Sequence, residues 1–115
     1  WRKIDNQKQP YLISIPKNEL FFFGAIWRIE IRNNKQTNVV CIITKAANQK
    51  LSYIHDRMPL IMSHNEGLSF LNDNNNNFLK KNQSIIEDDI DYYPVSKTVN
   101  NPKNNDANCL KEITL

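Results

Sequence analysis

The sequence predicts an α+β fold, with a mainly antiparallel β-sheet or barrel-like core and short helices. Runs of aromatic and β-branched residues are separated by polar turns, which is typical of strands joined in a meander. These strand patterns outnumber the helical ones, and one helical pattern carries a clear N-terminal cap. The 115 residues, 40% of them hydrophobic and 23% charged, have the composition of a folded chain. We therefore expect one domain over residues 1–115.

The most apolar run, residues 20–31, predicts a central strand, and Gly24 within it indicates a bulge or a close backbone approach. The polar residues 33–36 then form a turn, and residues 38–44 are expected to pair antiparallel with the first strand. Trp27 and Cys41 lie inside these runs, so we expect a packed indole and a buried, inert thiol. Residues 11–15 predict a short strand that forms a hairpin arm with the polar segment 3–9.

Two helices are expected after residue 46. Ala47, Leu51 and Ile54 are spaced for the apolar face of a short helix that ends near His55. Residues 58–62 form another apolar strand. Ser63, with Glu66 three residues later, then predicts a capping box. The buried face of that helix should be supplied by Leu68, Phe70 and Leu71. Residues 72–77 predict a loop, and an acidic cluster at 87–91 precedes a strand at 92–95.

Composition limits the function classes. A net charge of +3 and a pI near 8.9 allow a phosphate-bearing partner without requiring one. No apolar run approaches the roughly 20 residues of a membrane span, so we expect a cytoplasmic protein with no membrane partner. Cys41 and Cys109 form no metal-ligand spacing with either histidine, and no glycine-rich phosphate loop is present. We expect reduced thiols, no metal and no cofactor.

The densest chemical patch is His55-Asp56-Arg57, where a helix should meet a strand. His55 could transfer protons and Arg57 could hold a phosphate, although a surface ion-pair cluster has the same composition. Thr44 at a strand end could present its hydroxyl to a ligand or be structural. Trp1 could stack on a nucleobase or belong to the core. Cys41 is the one thiol to consider with His55 as a catalytic pair, but its β-branched neighbours favour burial.

Five segments in the same order resemble the SRAP (SOS response-associated peptidase) family of abasic-site-processing proteins. They are Trp1 with Lys8-Gln9-Pro10-Tyr11, Phe22-Phe23-Gly24-Ala25-Ile26-Trp27, Ile43-Thr44 through Ala47-Asn48, His55-Asp56-Arg57-Met58-Pro59, and Tyr93-Pro94-Val95-Ser96 with Val99-Asn100-Asn101. The resemblance implies a protein that binds single-stranded DNA and crosslinks to abasic sites through an N-terminal Cys, which closes a thiazolidine on the ring-opened sugar. It also implies self-cleavage of a leader and lyase activity.

By the same resemblance, His55 would be the catalytic histidine. The residues expected to contact substrate or DNA are Trp1, Thr44, Arg57, Met58 and Pro59. The implied partner is single-stranded DNA with abasic sites. A complete protein of this kind is expected to be a monomer, associated with the nucleoid of a prokaryote when it acts on DNA.

The chain also departs from the family pattern. Position 2 is Arg2 rather than the nucleophilic Cys, and the family's Asn and Glu would precede Trp1. We therefore expect the C-terminal part of an SRAP-like domain, with its N-terminal part missing, as a fragment or as a truncated gene product. Such a part should expose the apolar surface of residues 20–27, which favours association. Two further hypotheses stay open: a non-covalent DNA-binding module that uses Arg2, Lys3, Arg57 and Lys97, and an inactive remnant.

Overall fold

A computed structural model of the chain describes residues 1–15, 20–74 and 77–115. The described strands and α-helices, in chain order, are β1 (Arg2–Ile4), β2 (Gln7–Gln9), β3 (Tyr11–Ser14), β4 (Phe22–Phe23), β5 (Ala25–Arg32), β6 (Lys35–Ile42), β7 (Thr44–Ala46), β8 (Arg57–Pro59), β9 (Ile61–Met62), α1 (His64–Leu71), α2 (Asn77–Lys81) and β10 (Asp91–Pro94). The described strands pair antiparallel in five two-stranded sheets. The predicted α+β class with mainly antiparallel strands is therefore confirmed.

The chain divides into two compact units, each assembled from separate segments. The first unit comprises Trp1–Glu19, Ala47–Asp56 and Asp88–Leu115, and the second comprises Leu20–Ala46 and Arg57–Glu87. The prediction of one domain over residues 1–115 stays a prediction. Among the described residues, no helix combines the length and apolar character needed to span a bilayer.

The first unit contains the β1–β2 hairpin and the β3–β10 pair. Asp5 and Asn6 connect β1 to β2 with φ angles of 45° and 65°. Such left-handed residues suit the two-residue turns whose twist matches that of the flanking strands. The predicted hairpin between segments 3–9 and 11–15 is therefore wrong: the hairpin closes within residues 2–9, and β3 pairs with β10.

Buried side chains hold the first unit together. Its apolar core consists of Ile15, Leu51, Ile54, Ile90, Val95 and Cys109. Gln9 is also buried, and its Nε2 donates to the carbonyls of Pro10 at 3.0 Å and Val95 at 2.8 Å. The helix predicted before His55 shortens to a single 3₁₀ turn, Leu51–Tyr53, because the chain enters β8 at Arg57. Its predicted apolar residues Leu51 and Ile54 are nevertheless buried.

In the second unit, Gly24 interrupts the predicted central strand and divides it into β4 and β5. Its N–H donates to the Leu60 carbonyl at 2.7 Å, and its own carbonyl accepts from Ile43 N–H at 2.9 Å. A Cβ at this position would lie 3.0 Å from Leu60 Cδ2. The predicted close backbone approach at Gly24 is confirmed, and Leu60 itself is fully buried.

The β5–β6 hairpin turns at Asn33 and Asn34, whose φ angles are 50° and 58°. The predicted antiparallel partner is confirmed for residues 38–42. The predicted turn over 33–36 is shorter, because β6 begins at residue 35, and residue 44 belongs to β7. The expected burial is wrong, because Trp27 is 68% exposed and Cys41 is exposed. Among the described residues this sheet has only two strands, so no further described strand pairs with either outer edge. The predicted exposure of apolar side chains in residues 20–27 is confirmed.

Helix α1 begins with the predicted capping box. The Ser63 hydroxyl accepts from the Glu66 N–H at 3.3 Å, and Glu66 Oε2 accepts from the Ser63 N–H at 2.9 Å. The predicted buried face is wrong for Leu68 and Leu71, which are 49% and 80% exposed. The helix instead buries Gly67 against the Phe22 ring. Of the predicted 72–77 loop, residues 75–76 lie outside the described residues, and α2 already begins at residue 77.

Candidate functional site

His55 follows the 3₁₀ turn of the first unit, with its imidazole on the surface. Its Nδ1 lies 2.8 Å from Asp56 Oδ1, and the two side chains are 62% and 88% exposed. The Asp56 carboxylate can accept a hydrogen bond from an Nδ1–H group in this contact and so orient the imidazole. An exposed imidazole can transfer protons as a general acid or base.

A pocket of about 770 Å³ in the first unit brings His55 together with basic and aromatic side chains. Its lining residues are Trp1, Lys3, Lys8, His55, Val99, Asn100 and Pro102. None of the described residues in this lining carries a carboxylate. The structure therefore brings two of the predicted site residues, Trp1 and His55, into one concave surface with two lysines.

The Trp1 ring has a fixed orientation in this pocket. Its indole Nε1 donates to Asn100 Oδ1 at 2.7 Å, although the two residues are 99 positions apart in sequence. Trp1 remains 63% exposed, so it does not belong to the core. An exposed indole whose plane is held by a hydrogen bond is suited to stacking on a flat ligand group.

The second unit holds Thr44 and Arg57 on adjacent strands. Pairing of β7 with β8 places Ala46 opposite Arg57, so Thr44, two residues earlier, lies on the same sheet face as Arg57. Arg57 Nη2 donates to the Thr44 carbonyl at 2.8 Å and to its hydroxyl at 2.7 Å. Both residues are exposed. Thr44 thus fixes the orientation of a surface guanidinium.

Met58 and Pro59 are less exposed to a ligand than Thr44 and Arg57. Met58 is 2% exposed in the core of the second unit, so in this structure it packs and offers no surface to DNA. Pro59 is half-buried and lies opposite Thr44 in the β7–β8 register. The structure therefore groups Thr44, Arg57 and Pro59 on one strand pair, with Met58 beneath them.

Two cations named for a DNA-binding module already have partners within the first unit. The Arg2 guanidinium lies 3.6 Å from the centre of the Tyr53 ring and also donates to the Tyr53 hydroxyl. Lys97 Nζ donates to the Gln7 side chain. Lys3, by contrast, lines the pocket beside Trp1.

The sequence reasoning missed Lys8 and Asn100 as pocket residues. A signal for Lys8 was present, because a two-residue turn at Asp5-Asn6 fixes a register in which Lys3 faces Lys8. No local signal connects Asn100 to Trp1, since the contact spans almost the whole chain. Within residues 1–15, 20–74 and 77–115, no group of three or more His, Cys, Asp or Glu side chains could hold a metal ion.

Comparison with known proteins gives a family match and relatives with the same name. The sequence model of the SOS response associated peptidase (SRAP) family matches residues 1–102. The abasic site processing protein YoaM of Bacillus subtilis is 34% identical, over 96% of this chain and 51% of its own length. YedK of Escherichia coli, also named an abasic site processing protein, is 26% identical over 98% of this chain and 53% of its own. The chain thus spans about half the length of these relatives.

A solved structure supports the fold. The crystal structure of a protein from Bacteroides thetaiotaomicron superposes with a TM-score of 0.82 at 20% identity, and the match covers 99% of this chain and 52% of the other. At this level of identity the likeness concerns the fold alone. The order of the described strands and short helices is therefore that of a known architecture.

Proposed function

The chain belongs to the SOS response associated peptidase (SRAP) family, and from that premise we propose that it binds single-stranded DNA and acts at abasic sites. One observation carries the proposal: Trp1, His55 and two lysines line the same pocket. An aromatic face stacks on any unpaired base, and lysines attract the phosphate backbone. The relatives named abasic site processing proteins direct the proposal to this DNA lesion.

We assign proton transfer to His55. An abasic sugar reacts as its ring-opened aldehyde, so ring opening needs a proton moved between the ring oxygen and the anomeric hydroxyl. His55, whose Nδ1 lies 2.8 Å from Asp56 Oδ1, has the arrangement for this transfer. The geometry supports a general acid–base role for His55.

The covalent step of the proposal uses an N-terminal Cys, whereas the two cysteines among residues 1–115 are Cys41 and Cys109. In the proposed reaction, the α-amine of an N-terminal Cys condenses with the aldehyde and releases one water. The thiol then adds across the resulting C=N bond, its proton moves to nitrogen, and a thiazolidine ring forms. Self-cleavage of a leader and lyase activity belong to the same proposal, as does a cytoplasmic location.

Thr44 and Arg57 are proposed to hold a phosphate of the bound strand. The planar guanidinium offers donors that match phosphate oxygens, and the two hydrogen bonds to Thr44 fix its orientation. Pro59, on the same strand pair, is proposed as a neighbouring contact surface. This role differs from that of His55, because it contributes affinity rather than proton transfer.

Binding by the chain itself tests the non-covalent part of the proposal. Fluorescence anisotropy with a labelled single-stranded oligonucleotide should give an affinity that falls with salt, with a slope of about −0.7 in log–log form per phosphate contacted. The Arg57→Gln variant should reduce both the affinity and the slope. A signal that does not depend on salt, or no binding at all, would contradict the proposal.

A second candidate is a module that binds single-stranded DNA without chemistry. Lys3 favours it, because this exposed cation lines the pocket beside Trp1, where it can attract a backbone phosphate. The two candidates differ on a denaturing gel with an abasic-site oligonucleotide. A covalent adduct formed by a form of the protein that carries the Cys supports the enzyme, and binding without an adduct supports the module.

A further inference from the structure

Lys3 and Lys8 face each other directly across the β1–β2 hairpin, as Cα partners in its register. Cross-strand partners project from the same sheet face with their Cβ atoms about 4.5–5.5 Å apart. Like charges placed directly opposite destabilise a strand pair. Both lysines are exposed and both line the pocket that contains Trp1 and His55. The hairpin therefore concentrates two positive charges at the edge of this pocket.

Neither ammonium group has a hydrogen-bond or ion-pair partner among residues 1–15, 20–74 and 77–115. Two other described lysines have such partners. Lys45 pairs with Glu87 at 2.6 Å, and Lys50 donates to the carbonyl of Asp88 at 2.6 Å. An anion between Lys3 and Lys8 would remove their mutual repulsion and gain two charge-assisted hydrogen bonds.

We infer that Lys3 and Lys8 form a phosphate clamp that holds one backbone phosphate of the single strand, while an adjacent base stacks on Trp1. The inference rests on the proposed function. It specifies that Lys3 and Lys8 contact the backbone phosphate of a strand bound beside His55. Asn100 is a positioning residue in this arrangement, because it fixes the indole plane through the 2.7 Å hydrogen bond. The ligand class is a nucleotide of single-stranded DNA, recognised through one phosphate and one base face.

The pocket geometry supports this ligand over a free anion. A phosphate alone would engage the lysines but leave the exposed face of Trp1 unused, and stacking of a base contributes about 1–3 kcal/mol. A double helix keeps its bases stacked on each other, so it cannot offer one to Trp1. The clamp therefore predicts a preference for single strands over duplexes.

The test compares the chain with Lys3→Gln, Lys8→Gln and the double variant, using a fluorescein-labelled 15-nucleotide oligo-dT. Each single variant should weaken binding about threefold to tenfold at low salt, and the double variant should lower the magnitude of the salt slope by about 0.7, the value for one phosphate. Lys103→Gln, an exposed lysine of the first unit outside the pocket lining, is the matched control and should bind as the unsubstituted chain does.

This experiment distinguishes a loss of DNA affinity from a loss of folding. Removal of one like charge should leave the melting temperature unchanged or raise it, so a loss of affinity would not reflect unfolding. If the chain binds oligo-dT but the double variant keeps its affinity and salt slope, the clamp is wrong and the proposed function stands. If the chain binds no single strand, both fail. A reduction of the same size in Lys103→Gln would also overturn the clamp, since it would indicate general charge attraction.

Discussion

Arg57 donates two hydrogen bonds from the same nitrogen, Nη2, to the carbonyl and the hydroxyl of Thr44. Replacement of Thr44 by Val removes the hydroxyl acceptor but keeps the shape and the carbonyl bond. We expect Thr44→Val to weaken single-stranded DNA binding about threefold, because the guanidinium loses part of its orientation. Thr44→Ser restores the acceptor and should bind as the unsubstituted chain does. Equal affinities of the Val and Ser variants in an anisotropy titration would contradict the role given to this contact.

Gly67 should not tolerate the alanine that a helix normally prefers. A Gly-to-Ala change inside a helix ordinarily stabilises by about 1 kcal/mol. Here the added Cβ would lie 2.6 Å from Phe22 Cδ2, so the ring has to move. We expect Gly67→Ala to destabilise the chain by about 1–3 kcal/mol in urea unfolding. The Phe22→Ala background should remove this penalty, and additive effects of the two changes would contradict the packing account.

The titration of the Glu66 carboxyl should make the free energy of unfolding depend on pH in the acidic range. Burial raises the pKa of this carboxyl, but hydrogen bonds from the Ser84 hydroxyl, the Ser63 and Ile85 backbone N–H groups and the Ser63 hydroxyl outweigh it, so the pKa lies below its ordinary value of 4.5. A carboxyl with a lowered pKa in the folded state stabilises the fold above pH 4.5, and this contribution is lost as the pH falls through the lowered value.

The variant that tests this linkage is Glu66→Gln. It keeps the capping-box geometry but does not titrate, so its unfolding free energy should change less than that of the unsubstituted chain between pH 5 and pH 3. Urea unfolding across that range is the measurement. Parallel pH profiles for the two proteins would mean that Glu66 contributes no such linkage.

One face of the β5–β6 hairpin should drive self-association of the chain. Alternation along the two paired strands places five large apolar side chains on this face: Trp27, Ile29, Ile31, Val40 and Ile42. Their exposed fractions range from 48% to 68%. A contiguous apolar surface of this kind favours association or aggregation.

We expect the weight-average mass of the chain to rise with concentration in sedimentation velocity, and Val40→Lys to suppress that rise. Ile26→Lys is the matched control, because Ile26 is 62% exposed on the opposite face of the same hairpin. A chain that stays monomeric at every concentration would contradict the prediction. Equal suppression by both variants would show that the association does not depend on this face.

Local sequence signals predicted the elements that local chemistry determines. The Ser63 and Glu66 capping box, the Asn33-Asn34 turn and the break at Gly24 all depend on residues close in sequence. The pairing of β3 with β10 was not predictable in this way, because its partners are far apart along the chain. The exposure of Trp27 and Cys41 was also missed, since an apolar run indicates burial without showing what covers it.

The site shows the same division. The His55-Asp56-Arg57 patch was visible in the sequence, and the family resemblance supplied its interpretation. Comparison with known proteins confirms the family, and the roles of these residues stay predictions. The pocket that joins Trp1 to His55 depends on long-range contacts, of which the Trp1–Asn100 hydrogen bond is the clearest. Met58 lies in the same motif as His55, but its burial at 2% exposure became evident only from packing.

We propose that this chain contributes His55 and a single-strand binding surface to abasic-site crosslinking. The most direct measurement is a denaturing gel with a single-stranded oligonucleotide that carries one abasic site. It should compare the 115-residue chain, a form extended upstream to a residue-2 Cys, and the extended form with His55→Gln. We expect a heat-stable adduct in the extended form alone, slowed about 100-fold or more by His55→Gln. No adduct in the extended form, or an equal rate with His55→Gln, would contradict the account.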